Sequence, residues 1–578
     1  MATTSTSETS DSTDPQPPQR TSVIRCLEVT ELRQWICRSL HAQDIIACMS
    51  VSKNWSALFA PILFESISFE EWGKPRKADA FMARSVATDR RNLPLILHLR
   101  TCHPQVLTHL LRECEEVGPN KEPKTLPLRS LSLELDRTYH SWIQPHLTNI
   151  LLSMVKTFRS LRQLELQLTG SLTIHRQTAQ LPSYLPSTTL SDLSVDFELC
   201  KADCVSCSQK PVQDLVRSLE NRTEAFPFLN MISLTIARCT VDGTGGQLWR
   251  PLIQSCRNLV RFVFPLQNRS QDLEATRMLF ETVRKCCPKL RELDLSAKNS
   301  DYLTQEDRKD ERDLATQFGT TPAITDELLA ICLDGSEMGW TSLDISSLPC
   351  VGPRSIEVLF RHVRTLRSLL FPNTAAFSSA QWQLFMSRCP ALQIFQVQSV
   401  PVRRNERPQY PQIHFIPKDF NPETWPCQGV LQEMNFKICG VQHVTDKEVE
   451  VHREVFRRLS CLFALKKLSH QYLTDDAGKT LPTSQSPYYH VEEMDEPGLA
   501  YWRRTGLEEL AKLTQLEDLD IRDTAGYPSE DDLQWMQKTW PQLKTMRQYT
   551  ASYAHADSLK MWMSTKWNNV DVIEYMAR

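Results

Sequence analysis

Several stretches carry residue types whose spacing is that of known chemistry. Gly478-Lys479-Thr480 has the composition that ends a phosphate-binding loop, in which backbone amides cradle phosphates and the lysine reaches them. Such a loop requires a glycine five residues earlier and a strand before it. Leu473 stands there, and no strand pattern precedes it, so the tripeptide reads as a polar loop. Cys200, Cys204 and Cys207 bring three thiols close in sequence, but a structural zinc site needs a fourth ligand, and no paired Cys or His motif follows promptly. Asp242-Gly243-Thr244-Gly245-Gly246 reads as a turn after a strand. Neither His-Glu-x-x-His nor Gly-x-Ser-x-Gly occurs. Asp531-Asp532 falls at what looks like an exposed helix start, where carboxylates favour the helix dipole more than they serve acid-base catalysis. The basic pairs Arg403-Arg404, Arg457-Arg458 with Lys466-Lys467, and Arg503-Arg504 are short, scattered and accompanied by acids, a weak footprint for nucleic acid. The expectation is a non-enzymatic chain with no cofactor, no metal and no nucleic-acid partner.

What such a chain does must then come from its shape. At 578 residues it is too long for one ordinary core, leaving several domains or an elongated repeat array. Hydrophobic content of 41% and charged content of 23% suit a folded soluble protein, and a net charge of -3 gives no global pull toward polyanions. Glycine is scarce, 16 residues against 34 prolines, which suits many helix and strand boundaries better than glycine-rich loops. The 18 cysteines are about 3% of the chain, far below a disulfide-stapled domain, so most are expected as buried free thiols. Residues 1–22, rich in Ser, Thr, Asp and Pro, read as a disordered tail with no secretory signal. No run of 18 uninterrupted apolar residues occurs, so no membrane association is expected, and the location is read as cytoplasm or nucleus.

Residues 23–70 are densely helical in pattern. Leu32, Ile36 and Leu40 recur every fourth residue, followed by Ile45, Ile46, Met49, Val51, Trp55, Leu58 and Phe59. Asp44 is the expected N-cap of the second helix and Pro61 the mark of a new start. Three short helices make too small a core to stand alone, so the segment should lean on a partner or on its neighbour. Residues 71–124 are read as a linker or first capping repeat.

From residue 125 to 578 a unit of apolar, two variable, apolar, one variable, apolar recurs. It runs Leu128/Leu131/Leu133, Leu161/Leu164/Leu166, Leu190/Leu193/Val195, Met231/Leu234/Ile236, Leu259/Phe262/Phe264 and Leu290/Leu293/Leu295. It continues as Trp340/Leu343/Ile345, Leu366/Leu369/Phe371, Leu392/Phe395/Val397, Leu431/Met434/Phe436, Leu516/Leu519/Ile521 and, degenerately, Leu543/Met546. One copy means little in an apolar sequence, but a dozen at intervals of roughly 26–33 residues match the leucine-rich-repeat period. The last two apolar positions alternate along a short strand and point inward, and the first anchors the turn into it. Cys256, Cys287, Cys389 and Trp540 each precede the first apolar position by three residues, and a proline follows three of them, stopping the preceding helix at a fixed offset. The fold expected is therefore α/β, a solenoid with parallel strands on its concave side and helices on its convex side. Insertions are expected near 298–314, 400–426 and 474–498, where charge and proline break the register.

Leu27-Glu28-Val29, Leu32, Ile36, Leu40, Asp44-Ile45-Ile46, Cys48, Val51-Ser52-Lys53-Asn54-Trp55 and Leu58, standing ahead of such repeats, resemble the F-box/leucine-rich-repeat proteins, especially the divergent F-box-like proteins of fungi. The likeness covers about 45 residues, and the Cys-Pro-x-Leu flanks extend it over most of the chain. Two departures stand out: Cys26-Leu27 replaces the family's opening Leu-Pro, and Ser50 stands where a bulky apolar residue precedes the closing run. The resemblance implies a small all-α F-box segment and a substrate-receptor role in a Skp-cullin-F-box ubiquitin ligase. Leu27, Leu32, Ile36, Leu40, Ile45, Ile46, Val51 and Trp55 would meet the Skp adaptor of the cullin complex, and the repeats would hold a protein substrate whose identity the sequence does not give. The other reading is a repeat scaffold whose N-terminal helices only cap the array.

Overall fold

The computed structural model describes residues 39–69, 95–101, 104–115, 126–135, 158–170, 189–199, 228–237, 252–264, 273–296, 324–372 apart from 347 and 349, 377–398, 414–415, 425–438, 446–469, 499–521, 528–550 and 571–576, with Val29, Leu32, Trp35, Ile36 and Arg250. The expected disordered tail and the insertions at 298–314 and 474–498 lie outside the described residues. Two compact units divide the chain, residues 1–131 with 157–160 and residues 132–156 with 161–578.

In the first unit Leu32, Trp35 and Ile36 are helical, and two helices follow, α1 (Ala42–Val51) and α2 (Lys53–Glu65). Ser52 ends one and caps the other, its Oγ accepting from Trp55 N–H at 3.1 Å. Asp44 is not the N-cap of α1; His41 holds that place, and the Asp44 carboxylate accepts from His41 N–H at 3.2 Å. An Asp two to three residues into a helix satisfies a free amide and opposes the dipole as well as a cap does. Nor does Pro61 start a new element: it sits inside α2. Strand β1 (Ser66–Phe69) pairs in parallel with β2 (His98–Thr101), and helix α3 (Pro104–Glu115) follows. Ile96, Leu99 and Thr101 are buried in the pattern of the repeat, so the segment read as a linker or capping repeat contains a repeat strand. Its third position is the polar Thr101, which kept it out of the apolar pattern.

Strand β3 (Ser130–Leu135) crosses the boundary between the units. In the second unit β4 (Gln163–Gly170), β5 (Asp192–Leu199), β6 (Ser233–Ala237), β7 (Arg261–Val263), β8 (Glu292–Asp294), β9 (Ser342–Asp344), β10 (Ser368–Pro372) and β11 (Ile394–Gln398) lie side by side in chain order. Next to them come β13 (Glu433–Asn435), β15 (Lys467–Ser469), β16 (Asp518–Asp520), β17 (Thr545–Thr550) and β18 (Asp571–Met576). Two short strands, β12 (His414–Phe415) and β14 (Lys437–Ile438), pair separately, the former within the insertion expected at 400–426. From β4 to β18 every pairing is parallel, as the α/β reading requires.

One backbone device fixes the register. Two consecutive amides of each unit donate to a single carbonyl of the unit before: Ser191 and Asp192 to Arg162 O at 2.8 and 3.0 Å, Arg367 and Ser368 to Thr341 O at 2.9 and 3.0 Å, and Lys544 and Thr545 to Glu517 O at 2.8 and 3.2 Å. Thr341 and Ser342 reach Arg291 O in the same way, across 50 residues of chain. Insertion length thus leaves the ladder unchanged, because loop closure costs little more for a longer loop.

The apolar positions of the motif form the core. All whose side chains are described are buried, from Leu161, Leu164 and Leu166 to Leu543 and Met546. The residue three before the first position is buried as well, in Phe158, Phe228, Cys256, Cys287, Val363, Cys389, Leu462, Leu513 and Trp540. Fully burying one large side chain contributes about 1.5–3 kcal/mol, and no single unit supplies both walls around it. Helices α4 (Leu273–Cys286), α5 (Asp326–Leu333) and α6 (Pro353–His362) pack one against the next, and Asp334 joins Arg284 and Arg361 across them, each at 2.8 Å. Helix α7 (Ser379–Met386) seats Trp382 within 4.2 Å of the Phe377 ring centroid and 5.0 Å of Phe395. Helices α8 (Asp446–Ser460) and α9 (Glu530–Thr539) serve later units. No helix among the described residues is long and apolar enough to cross a membrane.

Candidate functional site

The N-terminal helices divide the expected adaptor residues by burial. Ile45 is buried with Phe59, and Ile36, Leu40 and Trp55 are half-buried against that pair, together with Cys48, Met49, Leu58, Ile62 and Leu63. Trp55 and Phe59 lie 5.7 Å apart between centroids. Leu32, Ile46 and Val51 are instead exposed, at 45%, 55% and 65%. Leu27 lies outside the described residues. Trp35, 71% exposed, was not singled out from the sequence, although it stands three residues from Leu32 and next to Ile36. Of the twelve exposed large hydrophobic residues among those described, five fall between residues 29 and 51. Scattered apolar residues on a surface are ordinary, whereas these are concentrated in one short segment.

The strands of the second unit present a different surface. Alternation turns the variable positions away from the leucines. Register aligns them into rows, one of which runs Val263, Asp294, Asp344, Leu370, Gln396, Asn435, Ser469, Asp520 and Arg547. Asp294 and Asp344 are direct neighbours in it. Each accepts from the serine two residues on, Ser296 N and Oγ at 3.0 and 2.6 Å and Ser346 N and Oγ at 3.2 and 2.7 Å. Burial, and then the nearby Asp294, push the Asp344 carboxyl above the usual carboxylate range against those hydrogen bonds. Later strands carry ion pairs: Lys467 with Glu433 at 2.8 Å, and Arg547 with Asp518 at 2.7 and 3.0 Å. Burial raises the Asp518 carboxyl more than the Arg547 guanidinium lowers it. These rows carry the unit-to-unit variation.

The residues with chemical spacing fare as follows. Cys200, Cys204, Cys207, residues 242–246 and residues 473–480 lie outside the described residues. Asp531 is exposed at the start of α9, but Asp532 is buried, contrary to the exposed helix start read from the sequence. Its Oδ2 accepts from Ser529 N–H at 2.8 Å and its Oδ1 from Arg503 N–H at 2.8 Å, so it ties two elements together. The nine cysteines whose side chains are described are free, and five of them are buried. Burial pushes the Cys256, Cys332 and Cys427 thiols up to about 12, which makes them packing residues and not nucleophiles. Among the described residues no three His, Cys, Asp or Glu side chains converge as a metal site. Compared with models of protein families and with curated proteins, the chain matches none.

Proposed function

We propose that the chain is the substrate-receptor subunit of a Skp-cullin-F-box ubiquitin ligase, its N-terminal helices docking the Skp adaptor and its leucine-rich-repeat face holding a protein target. The observation that carries this reading is the exposed set Leu32, Trp35, Ile46 and Val51 beside a small core of Ile45 and Phe59. A helical cluster this small that leaves large apolar side chains in water gains stability by burying them against a partner. The role is positional: no bond is made or broken by the receptor, which raises the local concentration of target lysines near a recruited conjugating enzyme. The location that follows is cytoplasm or nucleus.

The test is co-purification with a purified Skp adaptor at micromolar concentration. Ile46→Asp and Val51→Asp are the informative variants, because both positions are exposed and their charge does not enter the core. Ile36→Asp and Trp55→Asp would put a carboxylate against Ile45 and Phe59 and confound docking with folding. Capture of the wild type and its loss in Ile46→Asp and Val51→Asp supports the ligase reading. A wild type that ignores the adaptor leaves a repeat scaffold whose helices serve only as a cap.

A further inference from the structure

Where strands β7 to β10 of the second unit begin, basic side chains outnumber acidic ones among the described residues. The turn into β7 carries Arg257, the turn into β8 carries Lys289 and then Arg291, and the turn into β10 carries Arg364 and then Arg367. Arg257, Lys289, Arg364 and Arg367 are exposed and Arg291 is half-buried. None of the five side chains has an ion pair among the described residues. The turn into β9 contributes one exposed acid, Glu337.

The same edge is handled differently further along. In the later units Lys466 and Lys544 both lie on Glu517, at 3.9 and 2.5 Å. Two basic residues in the last turns of the helices are also engaged, since Arg284 and Arg361 share Asp334. Complementing helix dipoles therefore does not account for the five that remain. Arg291 and Arg367 lie past the helices, at the backbone position whose carbonyl or amides form the unit-to-unit ladder through Thr341. That places them two strands apart, about 10 Å at the usual strand spacing and about three residues of an extended peptide.

We infer that the strand-entry edge from β7 to β10 is a docking surface for an acidic polypeptide segment, a run of Asp and Glu side chains on the bound protein. This specifies the target-binding half of the function proposed above and rests on it in taking a polypeptide as ligand. Charge complementarity favours this occupant over nucleic acid. Further along the strands the outward positions turn acidic: Glu292, 3.9 Å from Arg261, follows Arg291 directly, and Asp294 and Asp344 stand as register partners three residues past Arg291 and Thr341, so a duplex or strand with uniform phosphate charge meets repulsion there. A peptide can place its acids over the edge and uncharged residues over those carboxylates.

The test uses the full chain and a fluorescein-labelled peptide bearing six consecutive glutamates, with a thymidine oligonucleotide and a hexalysine peptide as comparisons. The hexaglutamate probe is expected to bind, and Lys289→Ala/Arg291→Ala/Arg364→Ala/Arg367→Ala to weaken it about tenfold or more, with Lys466→Ala/Lys544→Ala unchanged. No binding, equal binding by the fourfold variant, or tighter binding of the oligonucleotide would overturn the assignment. Should the fourfold variant fail to fold, Arg291→Ala/Arg367→Ala and the salt dependence of the wild type decide it. An affinity that holds between about 50 and about 300 mM NaCl refutes an electrostatic edge. Adaptor capture is measured on the same preparations, so a failed edge is told apart from a failed ligase reading.

Discussion

The Asp326 carboxylate, in the first turn of α5, caps the helix of the following unit: its Oδ1 accepts from Gly352 N–H at 2.9 Å. The same carboxylate accepts from Ser355 N–H at 2.9 Å, from Arg354 N–H at 2.8 Å and from the Ser355 hydroxyl. Helix α6 begins with Gly352, which has no side chain to cap its own amides, so the preceding unit supplies the acceptor. A Cβ at position 352 would lie 2.6 Å from Asp326 Oδ2, which is why glycine stands there.

Asp326→Ala is expected to cost about 2–3 kcal/mol in urea unfolding, since it strands amides that helix geometry cannot satisfy. Gly352→Ala should also destabilise, through the clash. Because the clash needs the carboxylate, the double variant should lose less than the two single losses summed. Simple additivity would show that the two residues do not meet.

Much of the repeat was legible because burial imposes its period directly on side-chain type. Leu343, Leu369 and Phe395 had to be apolar wherever their strands lay, and each is fully buried. Legibility failed where a polar residue stands at the third place of the motif. Buried Thr101 hid the strand of Ile96 and Leu99, and the polar His470 of the sequence hid that of Leu465 and Leu468, both of which are buried. The adaptor set was less legible still. Adjacent residues Ile45 and Ile46 look alike in sequence, yet one is core and the other surface, a choice made by α2 packing on α1.

The alternation itself predicts a contrast between neighbours. Leu343→Ala should destabilise by about 2–5 kcal/mol, as cavities in closed cores do. Ser342→Ala, one residue away on the outward face, should change stability by no more than about 0.5 kcal/mol. Chemical denaturation measures both, and equal losses would contradict an inward-facing leucine row.

Thiol reactivity should follow burial. With their thiols pushed up to about 12, Cys256 and Cys332 carry thiolate in only about one molecule in ten thousand at pH 8, and protein covers them. Native alkylation by iodoacetamide, followed by peptide mass spectrometry, should leave both unmodified while half-buried Cys461 reacts. After denaturation all three should label. Rapid native labelling of Cys332 would mean that α5 opens readily.

The Asp294–Asp344 pair should make stability depend on pH. Burial and the neighbouring carboxylate raise the Asp344 carboxyl, so the folded chain keeps this proton to a higher pH than the unfolded chain does. Between the ordinary carboxylate value and the raised one, the native state binds more protons, and its stability falls as pH rises through that window. Asp344→Asn removes the titration but keeps a side chain able to accept from Ser346. The stability of wild type minus that of the variant should therefore be most favourable at the acid end and decline toward neutral pH. Urea midpoints collected in steps from about pH 4 to about pH 7 give that difference directly. A difference that instead grows with pH would show that the Ser346 and Ser296 hydrogen bonds outweigh desolvation, and that the folded chain prefers the carboxylate.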